Sequence, residues 1–265
     1  MNHLRFRRGT AWISVLLALV LTSVSIVTPS ARAAVRPQNA TPTSAPTPTV
    51  AAGAAVESSL QSAIERIRRR NNTLVAGVKF DFRPFGFINE QGRVSGFDID
   101  LIRAMADRWD IDVQFVQVTS SNAIQALASG IVDIVAASMA HKQEREEQID
   151  FSQTYFLDGQ SILVRRYAGI TNIFDLDGRV VAAIQGSTAI AQIQAYAAAN
   201  GVKVEILPFQ EHLPALAALA AGQVDALTSD SVFLTQAAKD NPTFAVVGGR
   251  FTSEPYGLGV PTNDP

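Results

Sequence analysis

Two residues of opposite charge, Arg145 and Asp230, each follow one copy of a repeated unit, and a cation facing an anion is a pair that can hold a zwitterion. The unit Ala126-Leu127-Ala128-Ser129-Gly130-Ile131-Val132-Asp133 returns as Ala218-Leu219-Ala220-Ala221-Gly222-Gln223-Val224-Asp225. In each copy an alanine- and leucine-rich helix end stops at a glycine, which takes the left-handed conformation a helix C-terminus needs, and an apolar strand follows. Copy one runs on toward Arg145, whereas copy two runs straight into Asp230. In open α/β sheets the carboxyl ends of strands face the ligand crevice, so two lobes built alike present a cation from one side and an anion from the other. A guanidinium is planar, always charged and meets a carboxylate through two parallel hydrogen bonds. Asp230 has a competing use, as the N-cap of a helix beginning at Ser231. Gly186-Ser187-Thr188 follows a strand ending at Ile184 and opens a helix. Its N–H groups and hydroxyls suit a carboxylate, and the alternative is a plain helix start capped by the threonine.

Alternating strand and helix patterns position these residues. Strands are predicted over 74–78, 113–118, 132–137, 161–164, 180–184, 202–207, 226–228 and 245–247, with helices over 97–109, 123–129, 188–200, 212–221 and 231–239. That rhythm predicts mostly parallel sheets with helices on both faces. An offset of about 90 residues is far too long for a solenoid, so the repeat marks two similar lobes.

Composition narrows the chemistry. The 265 residues are 47% hydrophobic and 17% charged, enough for a two-lobed globular unit with proper cores. There is no cysteine, which excludes disulfides, thiol catalysis and thiolate metal sites, and His3, His141 and His212 are too scattered to suggest a metal centre. No metal or cofactor is assigned. Residues 1–33 read as a signal peptide: Arg5, Arg7 and Arg8 precede an apolar run over 11–27, and Ala31-Arg32-Ala33 offers a cleavage site. The alternative is an uncleaved anchor. Removing residues 1–33 takes away four arginines and no acids, so 22 minus 24 becomes 18 minus 24, a charge of −6 with no nucleic-acid footprint. Residues 34–54, rich in proline, threonine and alanine, read as a disordered linker, and apolar positions at Val56, Leu60, Ile64 and Ile67 predict a short helix over 55–70. Its basic end, Arg66, Arg68, Arg69 and Arg70, is read as a solvated helix terminus without a partner.

The order of GFDIDLIRAMA at 96–106, ALASGIVDIVAASM at 126–139, ERE at 144–146, IDFSQTYF at 149–156 and AGQVDALTSD at 221–230 resembles family 3 of the bacterial extracellular solute-binding proteins, the amino-acid-binding components of ABC importers. The resemblance implies a two-lobed fold that closes over a free amino acid, with lobe one over 71–154 and 256–265, lobe two over 160–251, and crossings near 155–159 and 254–256. It implies Arg145 as the grip on the α-carboxylate, Asp230 as the acceptor for the α-ammonium, and Thr188 with Gly186 as further carboxylate contacts. Phe82 matches an aromatic that stacks on the ligand, while Phe85 and Phe87 are expected in the core. Lys79 stands where relatives place a side-chain-selecting residue, with a surface lysine as the alternative. Ala140 replaces a hydroxyl residue frequent in relatives, for which Ser138 is expected to compensate, and Ser120 replaces a larger enclosing side chain. The chain ends at Pro265, where relatives continue into C-terminal helices on the first lobe.

The function that follows is extracytoplasmic capture of a polar amino acid by hinge closure and delivery to an ABC permease, by a monomer without enzymatic activity. Two alternatives stand beside it: the ligand-sensing ectodomain of a membrane-anchored receptor, and an enzyme on the same fold such as a dehydratase.

Overall fold

The structure is a computed structural model that describes residues 62–262; the expected signal peptide or anchor over 1–33, the expected linker over 34–54, and Val56 and Leu60 of the expected leading helix lie outside the described residues. With strands and helices numbered in chain order, two five-stranded sheets form two lobes. The first sheet runs β5 (Asp112–Gln117), β1 (Thr73–Val78), β6 (Ile134–Ala136), β15 (Gly259–Pro261), β7 (Ile149–Phe151), and β1 is parallel to both neighbours. The second repeats the plan as β11 (Val204–Phe209), β10 (Arg179–Ile184), β12 (Ala226–Asp230), β9 (Gln160–Arg165), β13 (Phe244–Val247), with β10 in the equivalent central role. Both lobes add antiparallel strands on the side away from the first parallel pair.

Helices cover both faces, which is why the strands read as nearly unbroken apolar runs. On β1, Leu74, Ala76 and Val78 pack against Ile99 and Ile102 of α2 (Phe97–Trp109), while Val75 faces a cluster with Ala123 and Leu127 of α3 (Ala123–Ala128). In the second lobe Val181 joins Ile193 of α5 (Ala189–Ala199), and Ala182 and Ile184 join Ala215 and Leu219 of α6 (His212–Ala220) and Phe233 of α7 (Ser231–Asp240). The remaining described helices are α1 (Ala63–Arg69), leading into β1, and the single turn α4 (Gln143–Glu146). A small sheet of β2 (Asp81–Phe82), β3 (Gly86–Ile88) and β4 (Val94–Ser95) follows β1. The chain passes between the lobes twice, along β8 (Phe156–Asp158) and β14 (Glu254–Tyr256), and these two strands pair antiparallel.

The repeated unit has the same physical role in each lobe. Gly130 and Gly222 sit at φ +71° and +75°, stopping α3 and α6 as a glycine in the left-handed region does. The N–H of Asp133 then donates to the Val75 carbonyl, while its carboxylate accepts from the Val75 N–H at 2.9 Å. Asp225 does the same with Val180, at 3.0 Å for the carboxylate. These side chains take the first ladder position, so β6 begins at Ile134 and not at 132.

The basic end of α1 is not the free, solvated terminus expected from its sequence. Arg66 is 8% exposed and its Nε donates to Asp133 at 3.1 Å, while Arg70 binds both oxygens of the same carboxylate. Removing one partner of a buried ion cluster costs about 3–5 kcal/mol, because a charge stays behind in a dry site. Asp133→Ala is therefore expected to lower unfolding stability by about 3 kcal/mol or more in urea titrations. Asp225→Ala, whose partner Arg179 is half exposed, is expected to cost clearly less.

Candidate functional site

The carboxyl ends of the parallel strands of both sheets point at one cleft. Lys79 follows β1, Ser138 follows β6, Gly186-Ser187-Thr188 follows β10, and Asp230 ends β12. Strand β9 runs antiparallel, so its first residue, Gln160, reaches the same place opposite Asp230. A narrow polar cleft lies between the lobes. Its lining includes Lys79, Ser138, Arg145, Thr188, Asp230 and Glu254.

Arg145 is carried on α4, close to the first crossing. Its Nη1 donates to the Ala140 carbonyl at 2.9 Å and its Nη2 reaches the Gly186 carbonyl of the opposite lobe at 3.3 Å. Of five guanidinium N–H donors, these bonds use two and leave three for a carboxylate. Gly186 has φ +77°, and a Cβ there would lie 2.5 Å from the Cα of Ser121. Only glycine lets the two lobes approach this closely at the mouth of the site.

Asp230 stands at the N-cap position of α7, but its side chain makes no capping hydrogen bond. Strand β12 continues two residues beyond its expected end, and the Asp230 carboxylate accepts from Gln160 Nε2 at 2.6 Å. The start of α7 is capped instead by Asp158 of β8, which accepts from the Val232 N–H at 3.0 Å and from the Ser231 hydroxyl. Asp230 is thereby released to face the cavity.

Thr188 lines the cavity but its hydroxyl donates to Glu254 at 2.9 Å. Ser138 is held at φ +50° because both its N–H and its hydroxyl donate to the buried Asp98 carboxylate, at 3.0 and 3.2 Å. Its proton is therefore committed, and it does not supply the donor missing at Ala140. Lys79 is 7% exposed, with Nζ 4.3 Å from the Phe82 ring centre, so it is no surface lysine. Phe82 departs from expectation: it is fully buried, stacked on Phe233 at 4.9 Å with the His212 ring against its edge, and does not line the cavity. Phe87 is half-buried under the Arg83 guanidinium, whereas Phe85 joins the core.

Burial sets the charges of the site. Desolvation first, reinforced by the Glu254 and Asp158 carboxylates and opposed by Lys79, pushes the Asp230 carboxyl up to about 7. Burial likewise lowers the Lys79 ammonium against the pull of Asp230, Asp81 and Asp98. Arg145 is lowered by desolvation too, with Glu254 its strongest opposing attraction, ahead of Asp230. Glu254 and Gln160 were not legible as site residues. Gln160 lies just before a predicted strand and Glu254 in an expected crossing between the lobes, and only the pairing of β8 with β14 and of β9 with β12 brings them to the cleft.

The two-lobed architecture and this cleft agree with the known proteins the chain resembles. Residues 74–192 match the family model "Bacterial extracellular solute-binding proteins, family 3". A glutamine-binding protein of Geobacillus stearothermophilus is 38% identical over 201 residues, covering 74% of this chain and 75% of that one. The chain belongs to this solute-binding family. Among solved structures, holo ArgBP from T. maritima superposes with a TM-score of 0.70 at 30% identity, over 76% of this chain and 87% of that one. The ancestral amino-acid-binding protein AncCDT-1, a precursor of cyclohexadienyl dehydratase, superposes at 0.69 with 32% identity over 77% and 88%. Among the described residues no helix is long and apolar enough to cross a membrane, and the segment 11–27 lies outside them.

A carboxyl raised from an unfolded value near 3.9 to about 7 favours the folded state below pH 4, and that benefit is lost as the pH rises through 7. Ligand-free Asp230→Asn is therefore expected to melt above the wild-type protein at pH 8, with the gap closing as the pH falls to 4. A constant gap across that range in thermal unfolding would contradict a buried, strained carboxylate at this position.

Proposed function

We propose that this protein captures a neutral polar amino acid, with glutamine the leading candidate, and passes it to an ABC importer. The observation that carries this reading is the meeting of Arg145 from one lobe and Asp230 from the other at a single cavity. An amino acid offers both charges they need from one carbon atom, a carboxylate for the free donors of Arg145 and an ammonium for Asp230. The cavity wall sets two basic groups, Lys79 and Arg145, against two acidic ones, Asp230 and Glu254, a balance that favours a ligand neutral overall. Lys79 can donate to the amide oxygen of a side chain, and the similar Geobacillus protein is named for glutamine.

The same reading assigns Thr188 and Gly186 to the carboxylate end and makes the pairing of β8 with β14 the hinge about which the lobes open. The protein acts as a monomer outside the cytoplasm, and binding proceeds without covalent chemistry. The two described histidines support that last point, because neither lines the cavity: His141 stacks on Phe151, and His212 is sealed between Phe82 and Phe233. A dehydratase would instead release product from its substrate.

Calorimetric titration with glutamine tests the assignment. Arg145→Ala is expected to weaken binding at least tenfold, the loss of a charge-assisted bond of about 1.5–3 kcal/mol. Unchanged affinity would remove Arg145 from the site.

A further inference from the structure

We propose that Glu254 is a specificity-determining residue of this cleft: its carboxylate balances the cations of the cavity wall and turns acidic amino acids away. The inference rests on the reading of the cleft as an amino-acid site. Glu254 is fully buried on β14, in the second crossing, and lines the cavity. Its Oε2 accepts from Thr188 Oγ1 at 2.9 Å and from Gln160 Nε2 at 3.0 Å. Its Oε1 is buried without a hydrogen-bond partner, the nearest cation being Lys142 Nζ at 3.6 Å. A carboxylate needed only to tie the two crossings together would be satisfied through both oxygens, since a buried charge is costly unless fully paired. Here one oxygen remains unbonded, and the other holds a hydroxyl that faces the ligand space.

The neighbours of Glu254 place it at the end of the cleft where the ligand's α-carboxylate would lie. Its attraction on Arg145 exceeds that of Asp230, whereas Lys79 is influenced by Asp230, Asp81 and Asp98. Two consequences follow. Glu254 competes with an incoming carboxylate for the Thr188 proton, because one hydroxyl donates once. It also cancels one of the two wall cations, so that a second ligand carboxylate meets a neutral wall and not a positive one. In a dry cleft a unit charge within several ångströms changes an equilibrium constant by more than about tenfold.

Calorimetry with glutamine and with glutamate on the wild type, Glu254→Gln and Glu254→Asp tests this. Glu254→Gln is expected to shift the affinity ratio toward glutamate by at least about tenfold, while Glu254→Asp, which keeps the charge, leaves the ratio within about twofold. Thermal melts establish that each variant is folded. If Glu254→Gln is not, Glu254→Met, which removes the charge and keeps the side-chain length, carries the same comparison and the same expectation. An unchanged ratio in a folded charge-removing variant overturns the role of Glu254 and leaves the amino-acid reading intact. Failure of the wild type to bind either ligand overturns both.

Discussion

Two buried carboxyl groups bridged by one amide are the constraint on which this site turns. Gln160 Nε2 lies 2.6 Å from Asp230 and 3.0 Å from Glu254, so two buried carboxyl groups share this amide, with the Thr188 hydroxyl a further donor to Glu254. Neither lobe can satisfy this arrangement from its own side chains. The cations that answer it, Lys79 and Arg145, come from the first lobe, while Asp230 ends a strand of the second and Glu254 lies in the crossing between them. The cost of burying ionised groups therefore couples the approach of the lobes to the charges at their contact.

That coupling has a structural frame. Each lobe reaches the cleft through the carboxyl ends of parallel strands, set by the same repeated turn and by an aspartate that seals the start of the neighbouring strand pair. At the mouth, Gly186 removes the one side-chain atom that would keep the lobes apart. Asp158 relieves Asp230 of helix capping, and Asp98 fixes Ser138, so supporting carboxylates leave the site's own groups in defined states. Electrostatics chooses the ligand class, and packing determines that the choosing groups meet.

Much of this was legible in the sequence, for identifiable reasons. Helix α2 was read to the residue because its apolar spacing is strong, and the repeat disclosed two lobes because strand and turn signals are local. Asp230 stands out at the end of an apolar strand, whereas Arg145 lies in the charged run HKQEREEQ, which by itself reads as solvated surface, and its role was implied by the family resemblance. What stayed hidden depends on contacts between distant segments. Arg66 and Arg70 looked solvated because nothing nearby in the chain shows that Asp133 lies beneath them. Phe82 looked available to a ligand because its partner, Phe233, is 151 positions away. Glu254 sat in a short strand with no pattern of its own, and its importance arises only when β14 pairs with β8.

The central claim, that a cation of one lobe and an anion of the other grip opposite ends of one amino acid, is tested most directly by truncating the ligand. Calorimetry would compare glutamine with an analogue lacking the α-carboxylate and one lacking the α-amino group, on the wild-type protein and on Arg145→Ala. Both analogues should bind far more weakly than glutamine, and the analogue without a carboxylate should be indifferent to the loss of Arg145. Either analogue binding as tightly as glutamine would contradict the account.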